Sequence, residues 1–385
     1  MTSVLPLKGI RVIELCWVWS GPLLGQFLAD LGAEVIKVEW FKRYDLYRTR
    51  GVERMAGKYH ESIWREMSQS FHGLNRNKIG LAMDLKNTKH RDGLIDLVAQ
   101  SDLVIENFTS GTLDRLGLNY EKLCQVNKAI VLLSLSGFGA SSRLSQMRAY
   151  GLVLSALSGM EANILDSKNG QFIGSPTFVA SDPNAATYGL FAAISAIIEA
   201  RKTGFGSHVE ISQLEAIAHV AAAKDAELNS FAESLGLETK FDQGQKEMIP
   251  CKDGKYVCVA WPQNISEPEK NRIYDEILEF HCEEVQKLIE SHQIEIVSVV
   301  EQSSEIGAGA SAKETLISTV HPITGPEDIV AAPWWIDGRR APLRKPAPTL
   351  GEGNDYVLGS LLKWPQEDRI EISLFDLDKR HVSKK

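Results

Sequence analysis

Cysteine is scarce in this 385-residue chain, with five residues, Cys16, Cys124, Cys251, Cys258 and Cys282, an odd number spread widely. No Cys-x-x-Cys pair and no Cys/His ligand spacing occurs, so the sequence offers neither a disulfide scaffold nor a metal module, and reduced thiols are expected. Positive charge is also in deficit: Lys+Arg number 42 against Asp+Glu 50, a net charge of -8. A broad nucleic-acid surface needs clustered excess Lys and Arg, so that partner is excluded, while a local basic site for a few phosphates is not. Long apolar runs are missing too. The most apolar stretch, 185–198, is interrupted by Thr187, Tyr188, Gly189 and Ser195, so no membrane span is predicted. The opening MTSVLPLKGIRVIEL lacks a basic segment followed by a long apolar one and a small-residue cleavage site. The expectation from these absences is a soluble, cytoplasmic protein without metal, membrane or nucleic acid.

What is present is a repeated strand–helix alternation. IRVIEL (10–15) is short and β-branched, a buried strand; Ser20-Gly21 turns the chain, Pro22 opens a helix, and the helix ends at Gly32. EVIKVE (34–39) is the next strand, and strand–helix–strand within so short a span implies a parallel pair with a right-handed crossover. LAMDL (81–85), LVIENF (103–108) and AIVLLSLSGFG (129–139) read as further strands, with helical stripes over 88–100, 113–118 and 183–201 and a strand–helix pair over 208–223. Beyond 225 the texture changes. KDGKYVCVA (252–260) looks like a hairpin arm, 267–302 like a charged amphipathic helical region, and 303–313 like a mobile loop. Pro333, Pro342, Pro346 and Pro348 make 333–350 extended, before a last helix over 355–363. The predicted fold is α/β, a doubly wound parallel sheet in a large domain (1–225), with a smaller α+β domain (226–330) and a C-terminal return to the large domain (331–385).

The first strand–helix turn invites a dinucleotide reading, with Glu39 at the end of the second strand. The fingerprint is nevertheless absent: residues 16–25 read CWVWSGPLLG, without G-x-G-x-x-G, and the indoles of Trp17 and Trp19 would crowd a pyrophosphate. What survives is a helix N-terminus beside a strand end, a place suited to anions and oxyanions. Asp182, in FVASDPNAATYGLFAAISAI, precedes a proline that opens a helix; on pattern alone it reads as an N-cap.

Six segments in order carry a more specific signal: LKGIRVIEL with SGPLLGQFLADLGAEVIKVE, LNRNKIGLAMDLK, DLVIENFTSGTLDRLGL, SLSGFG, SDPNAATYGLFAAISAIIEARKTGFGSHVEISQLEA and APTLGEGNDYVL. The set resembles the family III CoA-transferases, the formyl-CoA, carnitine and bile-acid CoA-transferase group; 220–330 matches poorly outside PCKDGKYVCVA. The resemblance implies a Rossmann-like large domain, an interlaced dimer and coenzyme A as substrate thioester. It places the covalent nucleophile at Asp182, at the head of the densest motif. It also implies that CoA is lined by Val18, Met83, Asn107, Phe108, Arg115 and Arg148, the two arginines clamping phosphates. An arginine on a helix face is otherwise read as solvated.

Several positions depart from the family pattern. Ser20-Gly21-Pro22 stands where AGP is usual, Trp19 where formyl-CoA transferases carry a glutamine, and Trp40 where they carry an arginine. The two indoles predict an acyl pocket for a bulky apolar or aromatic acid rather than formate or oxalate. The expected partners are acyl-CoA, a carboxylic acid, and a second subunit of the same or a related chain. The mobile glycine loop of the family is best matched by Gly307–Ala310. Two alternatives stay open: a 2-methylacyl-CoA racemase of the same fold, whose histidine base has no convincing match in His60, His72 or His90, and a non-catalytic CoA-binding subunit, which would normally lack the aspartate. His208, His219 and Trp334-Trp335 are read as packing or surface residues.

Overall fold

In the computed structural model, residues 5–163, 180–222, 246–262, 264–282, 284–285, 294–298 and 315–382 are described. The chain divides into two compact units, Met1–Ala223 with Ile317–Lys385, and Lys224–Leu316.

Six short, β-branched-rich strands build the sheet of the larger unit: β1 (Arg11–Leu15), β2 (Glu34–Glu39), β3 (Ile79–Ala82), β4 (Leu103–Glu106), β5 (Val131–Ser136) and β6 (His208–Ser212). Their order is β3-β2-β1-β4-β5-β6, and every pair is parallel. That is the doubly wound arrangement, with its switch point between β1 and β4, where the chain leaves neighbouring strands in opposite directions and a crevice opens at their C-terminal ends. The helices are α1 (Ser20–Asp30), α2 (Glu61–Trp64), α3 (Gln69–Asn75), α4 (Thr88–Val98), α5 (Thr112–Leu116), α6 (Tyr120–Val126), α7 (Gly151–Leu157), α8 (Ser181–Thr203) and α9 (Gln213–Ala222). No helix among the described residues is long and apolar enough to cross a membrane.

Alternation along the strands gives the sheet two apolar faces. On one, Val12, Val35, Leu103, Ile105, Val131 and Leu133 meet Leu24 and Leu28 of α1 and Ala185, Ala193 and Ile197 of α8. On the other, Ile13, Ile36, Val38, Val104 and Leu132 meet Leu94 and Leu97 of α4, Leu113, Leu123 and the C-terminal Val357 and Leu358. The small residues of α8 let α1 lie close to it: a Cβ on Gly189 would stand 3.1 Å from Leu24. The edge strand β3 is covered by the tail. Gly353 N–H donates to Gly80 O at 2.8 Å, and the Asn354 carboxamide oxygen accepts from Ala82 N–H at 2.9 Å. Those bonds occupy groups that an open edge would offer to another chain.

The third strand differs from the 81–85 reading. It begins at Ile79, in register with Ile36, and after Met83 N–H bonds Glu39 O at 2.7 Å the chain turns away, Asp84 N–H donating to His90 Nδ1 at 2.9 Å. The first turn of α1 also begins earlier than Pro22, at Ser20. Near the C-terminus, 355–363 is a π-type turn over Asp355–Leu361, and a helix over Gln366–Val382 follows that the sequence reading did not anticipate; its Ile372 is buried in the core.

The smaller unit holds the hairpin β7 (Lys246–Pro250) and β8 (Tyr256–Ala260), the strand β9 (Glu295–Ser298) and the helix α10 (Glu267–Glu279). The helical reading of 267–302 is corrected here. The helix stops before Phe280, whose backbone is extended, and Glu295–Ser298 runs antiparallel to β8, Ile296 opposite Val259 and Val297 opposite Cys258. The backbone pairing of Glu295–Ser298 with β8 overrides the charged amphipathic helical stripe expected there. Ile249, Val257, Val259, Trp261, Ile273 and Ile277 form this unit's own core. The predicted loop at 303–313, with Gly307–Ala310, lies outside the described residues.

Candidate active site

A cleft of about 1160 Å³ opens at the C-terminal ends of β1, β2, β4 and β5. Its wall includes Val18, Trp40, Met83, Asn107, Phe108, Arg115, Arg148 and Asp182, so eight of the nine residues singled out from the sequence converge on one space. The ninth, Trp19, does not line it. It packs with Val18 and Leu74 against Tyr47, Phe71 and Ala347.

Asp182 is the second residue of α8, not its N-cap, which is Ala180. Its half-buried carboxylate accepts hydrogen bonds from the backbone N–H and the hydroxyl of Ser20, in the first turn of α1. The helix whose N-terminus serves Asp182 is therefore α1, the helix whose start the sequence had marked as an anion site. Burial pushes the carboxyl above the ordinary aspartate range, and the two Ser20 donors pull against that shift without cancelling it. Tyr47, whose hydroxyl is also lifted by burial, senses the Asp182 charge and accepts from Arg50 Nη1 at 2.6 Å.

The loop after β1 is held in a shape that ordinary residues resist. Val18 has φ 72°, a left-handed conformation costly for a β-branched residue, and its N–H is tied to Asp45 Oδ1 at 2.9 Å. Asn107, after β4, clamps the same loop across the switch point: Trp17 N–H donates to its Oδ1 at 2.9 Å while its Nδ2 donates to Trp17 O at 2.7 Å. Beneath them Gly21 has no room for a side chain, because a Cβ there would lie 2.5 Å from Cys16.

Below the cleft lies a buried charge network. Lys37 donates to Glu14 at 3.0 Å, to Asp45 at 3.0 Å and to Cys16 O at 2.8 Å; Lys78 donates to Glu14 at 3.1 Å, Pro22 O at 2.8 Å and Asn75 at 2.8 Å. The α1 backbone passes so close that a Cβ on Gly25 would stand 1.8 Å from Glu14 Oε2. Arg48 grips Glu39 through two nitrogens, at 2.8 and 2.7 Å, pairs with Glu66, and stacks 3.8 Å above Phe71. Every charge in this layer has an opposite partner, and the layer holds the loop carrying Val18 and Asp45; burial nevertheless pulls the Lys78 ammonium down to about 8.

The mouth of the cleft is different in character. Lys42, Arg43, Lys86, Arg115 and Arg148 line it, a basic rim on an acidic protein. Trp17 and Phe108 meet edge to face at 5.9 Å, and the Arg43 guanidinium lies 5.5 Å over the Trp17 ring. Such a place suits a ligand with several phosphates and a flat or apolar portion. Among the described residues no cluster of three or more His, Cys, Asp or Glu could hold a metal ion. The sequence reading passed over Ser20, Gln213 and Trp17 as site residues. For Ser20 one signal existed, its departure from the alanine of the AGP pattern; Gln213 carried none, because it reaches the site only through the sheet topology.

A sequence profile of CoA-transferase family III matches residues 7–267. The chain is 34% identical over 217 residues to the succinate–glutarate CoA-transferase of Agrobacterium fabrum, covering 56% of this chain and 53% of that protein. It is 31% identical over 226 residues to the succinyl-CoA:glutarate CoA-transferase of Homo sapiens, covering 58% of this chain and 49% of that protein. The chain thus spans about half the length of the curated relatives it matches. A solved structure of a CAIB/BAIF family protein from Brucella suis superposes with a TM-score of 0.76 at 22% identity, over 92% of this chain and 99% of that one, which shows a shared fold.

Proposed function

The chain belongs to CoA-transferase family III, and from that premise we propose that it moves coenzyme A from an acyl-CoA donor to a carboxylic acid through a thioester on Asp182. The observation carrying this reading is the position of the Asp182 carboxylate, on the wall of a cleft with a basic rim and within reach of two Ser20 donors. A half-buried carboxylate has lost hydration that would blunt it, so attack on a thioester carbonyl becomes feasible. An Asp182 oxygen adds to the acyl carbon, the C–S bond breaks, and CoA leaves as thiolate, giving a mixed anhydride. The thiolate then attacks the Asp182 carbonyl carbon, forming the aspartyl-CoA thioester and freeing the first acid as carboxylate. The acceptor acid runs the same steps in reverse. One thioester replaces another, so no ATP is required.

The rim cations are assigned to the CoA phosphates. Arg115 and Arg148 are both exposed, Arg115 Nη2 donating to Thr112 Oγ1 at 2.8 Å. Phosphates are bound alike in ground and transition states, so alanine at either position raises KM for acyl-CoA more than it lowers kcat. Each lost charge-assisted contact is worth about 1.5–3 kcal/mol of binding. Calorimetry with CoA checks this, and wild-type affinity in both variants would remove the assignment.

We assign the acid an apolar body, aromatic or a dicarboxylate, rather than formate or oxalate. Support comes from Trp40, the Trp17–Phe108 pair and Met83 on the cleft wall; the relatives' names do not decide it, since some are named for succinate and glutarate and others for oxalate. Each Å² of apolar contact contributes about 25 cal/mol, which small polar acids forgo. A dimer is part of the same reading; the exposed Phe191 and Ile198 of α8, 75% and 62% accessible, are apolar side chains that a second subunit would cover. The test is incubation with a panel of acyl-CoAs and free acids without ATP, followed by mass analysis of the CoA products. New acyl-CoA from succinate, glutarate or an aryl-substituted acid is expected. Formate or oxalate as best acceptor would overturn the acid preference, and no exchange across the panel would overturn the activity.

A further inference from the structure

Ser20 is 1% exposed, and its hydroxyl oxygen receives two amide N–H groups, from Gln213 Nε2 at 3.3 Å and Asn107 Nδ2 at 3.4 Å. Asn107 is fixed by its two hydrogen bonds to the Trp17 backbone, and Gln213 is buried at the start of α9. A hydroxyl has two lone pairs and one hydrogen. With both lone pairs engaged, its hydrogen is left for the Asp182 carboxylate, which shares the cleft wall with Ser20 and is held toward its ionised form by the Ser20 hydroxyl and N–H. Two donors of one residue, at the positive end of α1, converge on one carboxylate.

We infer that the Ser20 hydroxyl is an oxyanion donor in the transfer reaction, acting on the carbonyl oxygen of Asp182 itself when the acceptor acid attacks the aspartyl thioester. The inference rests on Asp182 as nucleophile. In that step an acceptor carboxylate oxygen gives an electron pair to Cγ of Asp182, and the C=O π pair moves onto the side-chain oxygen. As the C=O re-forms, the C–S bond breaks and CoA departs as thiolate with the pair, leaving the mixed anhydride. No proton is gained or lost, so the step asks for hydrogen-bond donors and not for an acid or base. A thioester carbonyl is a weak acceptor and the tetrahedral oxyanion a strong one, so both donors stabilise the transition state more than the thioester that precedes it. The Asn107 and Gln213 amides hold the hydroxyl rotor in place before the charge appears.

The test is Ser20→Ala in the full chain, with Gln213→Leu beside it. Ser20→Ala loses about 10²-fold in kcat with acyl-CoA KM unchanged, the scale of one oxyanion donor. Its acid limb of kcat/KM also moves to higher pH, because a bond favouring the ionised carboxylate is gone. Among the described residues Tyr47 also senses the Asp182 charge, and its titration lies on the alkaline side. Gln213→Leu, which frees the rotor but keeps the hydroxyl, shows a smaller fall in kcat. Wild-type kcat in Ser20→Ala overturns the inference, and so does a fall in kcat with an unmoved acid limb and unaffected Gln213→Leu, the behaviour of mere packing. Hydroxylamine trapping separates the two levels: label on Asp182 of the wild type with full turnover in Ser20→Ala strikes the Ser20 role alone, whereas absence of label on Asp182 removes the nucleophile as well.

Discussion

Replacing Asp182 with alanine or asparagine abolishes CoA transfer, by at least about 10⁴-fold in kcat, while the protein stays folded. In the proposed mechanism the carboxylate forms the covalent thioester, so neither the basic rim nor the Ser20 donors can substitute for it. Asp182→Glu does not restore the rate, because one methylene displaces the carboxylate from the two donors at the start of α1. Stability runs in the opposite direction. An acid whose folded pKa lies above its unfolded one loses stability as pH rises between the two values and carries the full penalty above both. Burial puts Asp182 in that class. At pH 7 Asp182→Asn therefore melts at or above the wild-type temperature while being inactive, a trade of stability for function. The acid limb of kcat/KM in the wild type lies above the ordinary aspartate range, since only the ionised form attacks. Scanning calorimetry and initial rates on the same preparations decide the matter: an Asp182→Asn variant that exchanges acyl groups at the wild-type rate ends the mechanism.

The βαβ core was legible because its signals are local. IRVIEL and EVIKVE announce strands by β-branching, and the helix between them is bounded by turn residues within a few positions. The cleft followed once the strand order placed the ends of β1 and β4 side by side. Contacts between distant segments were not legible. Nothing in the sequence joins Trp17 to Asn107, 90 residues on, or Gln213 to Ser20, 193 residues back. Nor does alternation reveal the charge layer. Glu14 and Lys37 would face water in a half-covered sheet, yet they stand opposite each other in the β1–β2 register and are fully buried. Only the cover on both sheet faces, a tertiary fact, makes those two charges partners. The indoles teach the same lesson: Trp19 and Trp40 were read as a pair, and the left-handed backbone at Val18 leaves one in the packing beneath the loop and the other on the cleft wall.

Arg48 is the residue of that hidden layer whose loss should cost most. Its guanidinium is wholly buried, binds both oxygens of Glu39, pairs with Glu66, donates to Pro348 O at 3.2 Å and covers the Phe71 ring. Burial alone would raise the Glu39 carboxyl, but Arg48, with Lys37 and the Asp45 N–H, holds it down at about 2. Arg48→Met keeps much of the volume and leaves Glu39 and Glu66 buried beside an apolar group. Removing one partner of a buried ion pair typically costs about 3–5 kcal/mol, so a large fall in melting temperature is expected at pH 7. The pH dependence carries the diagnosis. In the wild type the depressed Glu39 contributes stability above its unfolded pKa, and that contribution is lost as pH falls from about 4.5 to about 2. In Arg48→Met burial acts unopposed by the guanidinium, the carboxyl titrates above its unfolded value, and protonation on acidification relieves the penalty. The stability gap between wild type and variant therefore narrows as the solution is acidified from pH 7. Urea melts at a series of pH values measure that gap directly, and a gap that is constant with pH, or smaller than about 1 kcal/mol at pH 7, would show that Arg48 contributes packing rather than charge.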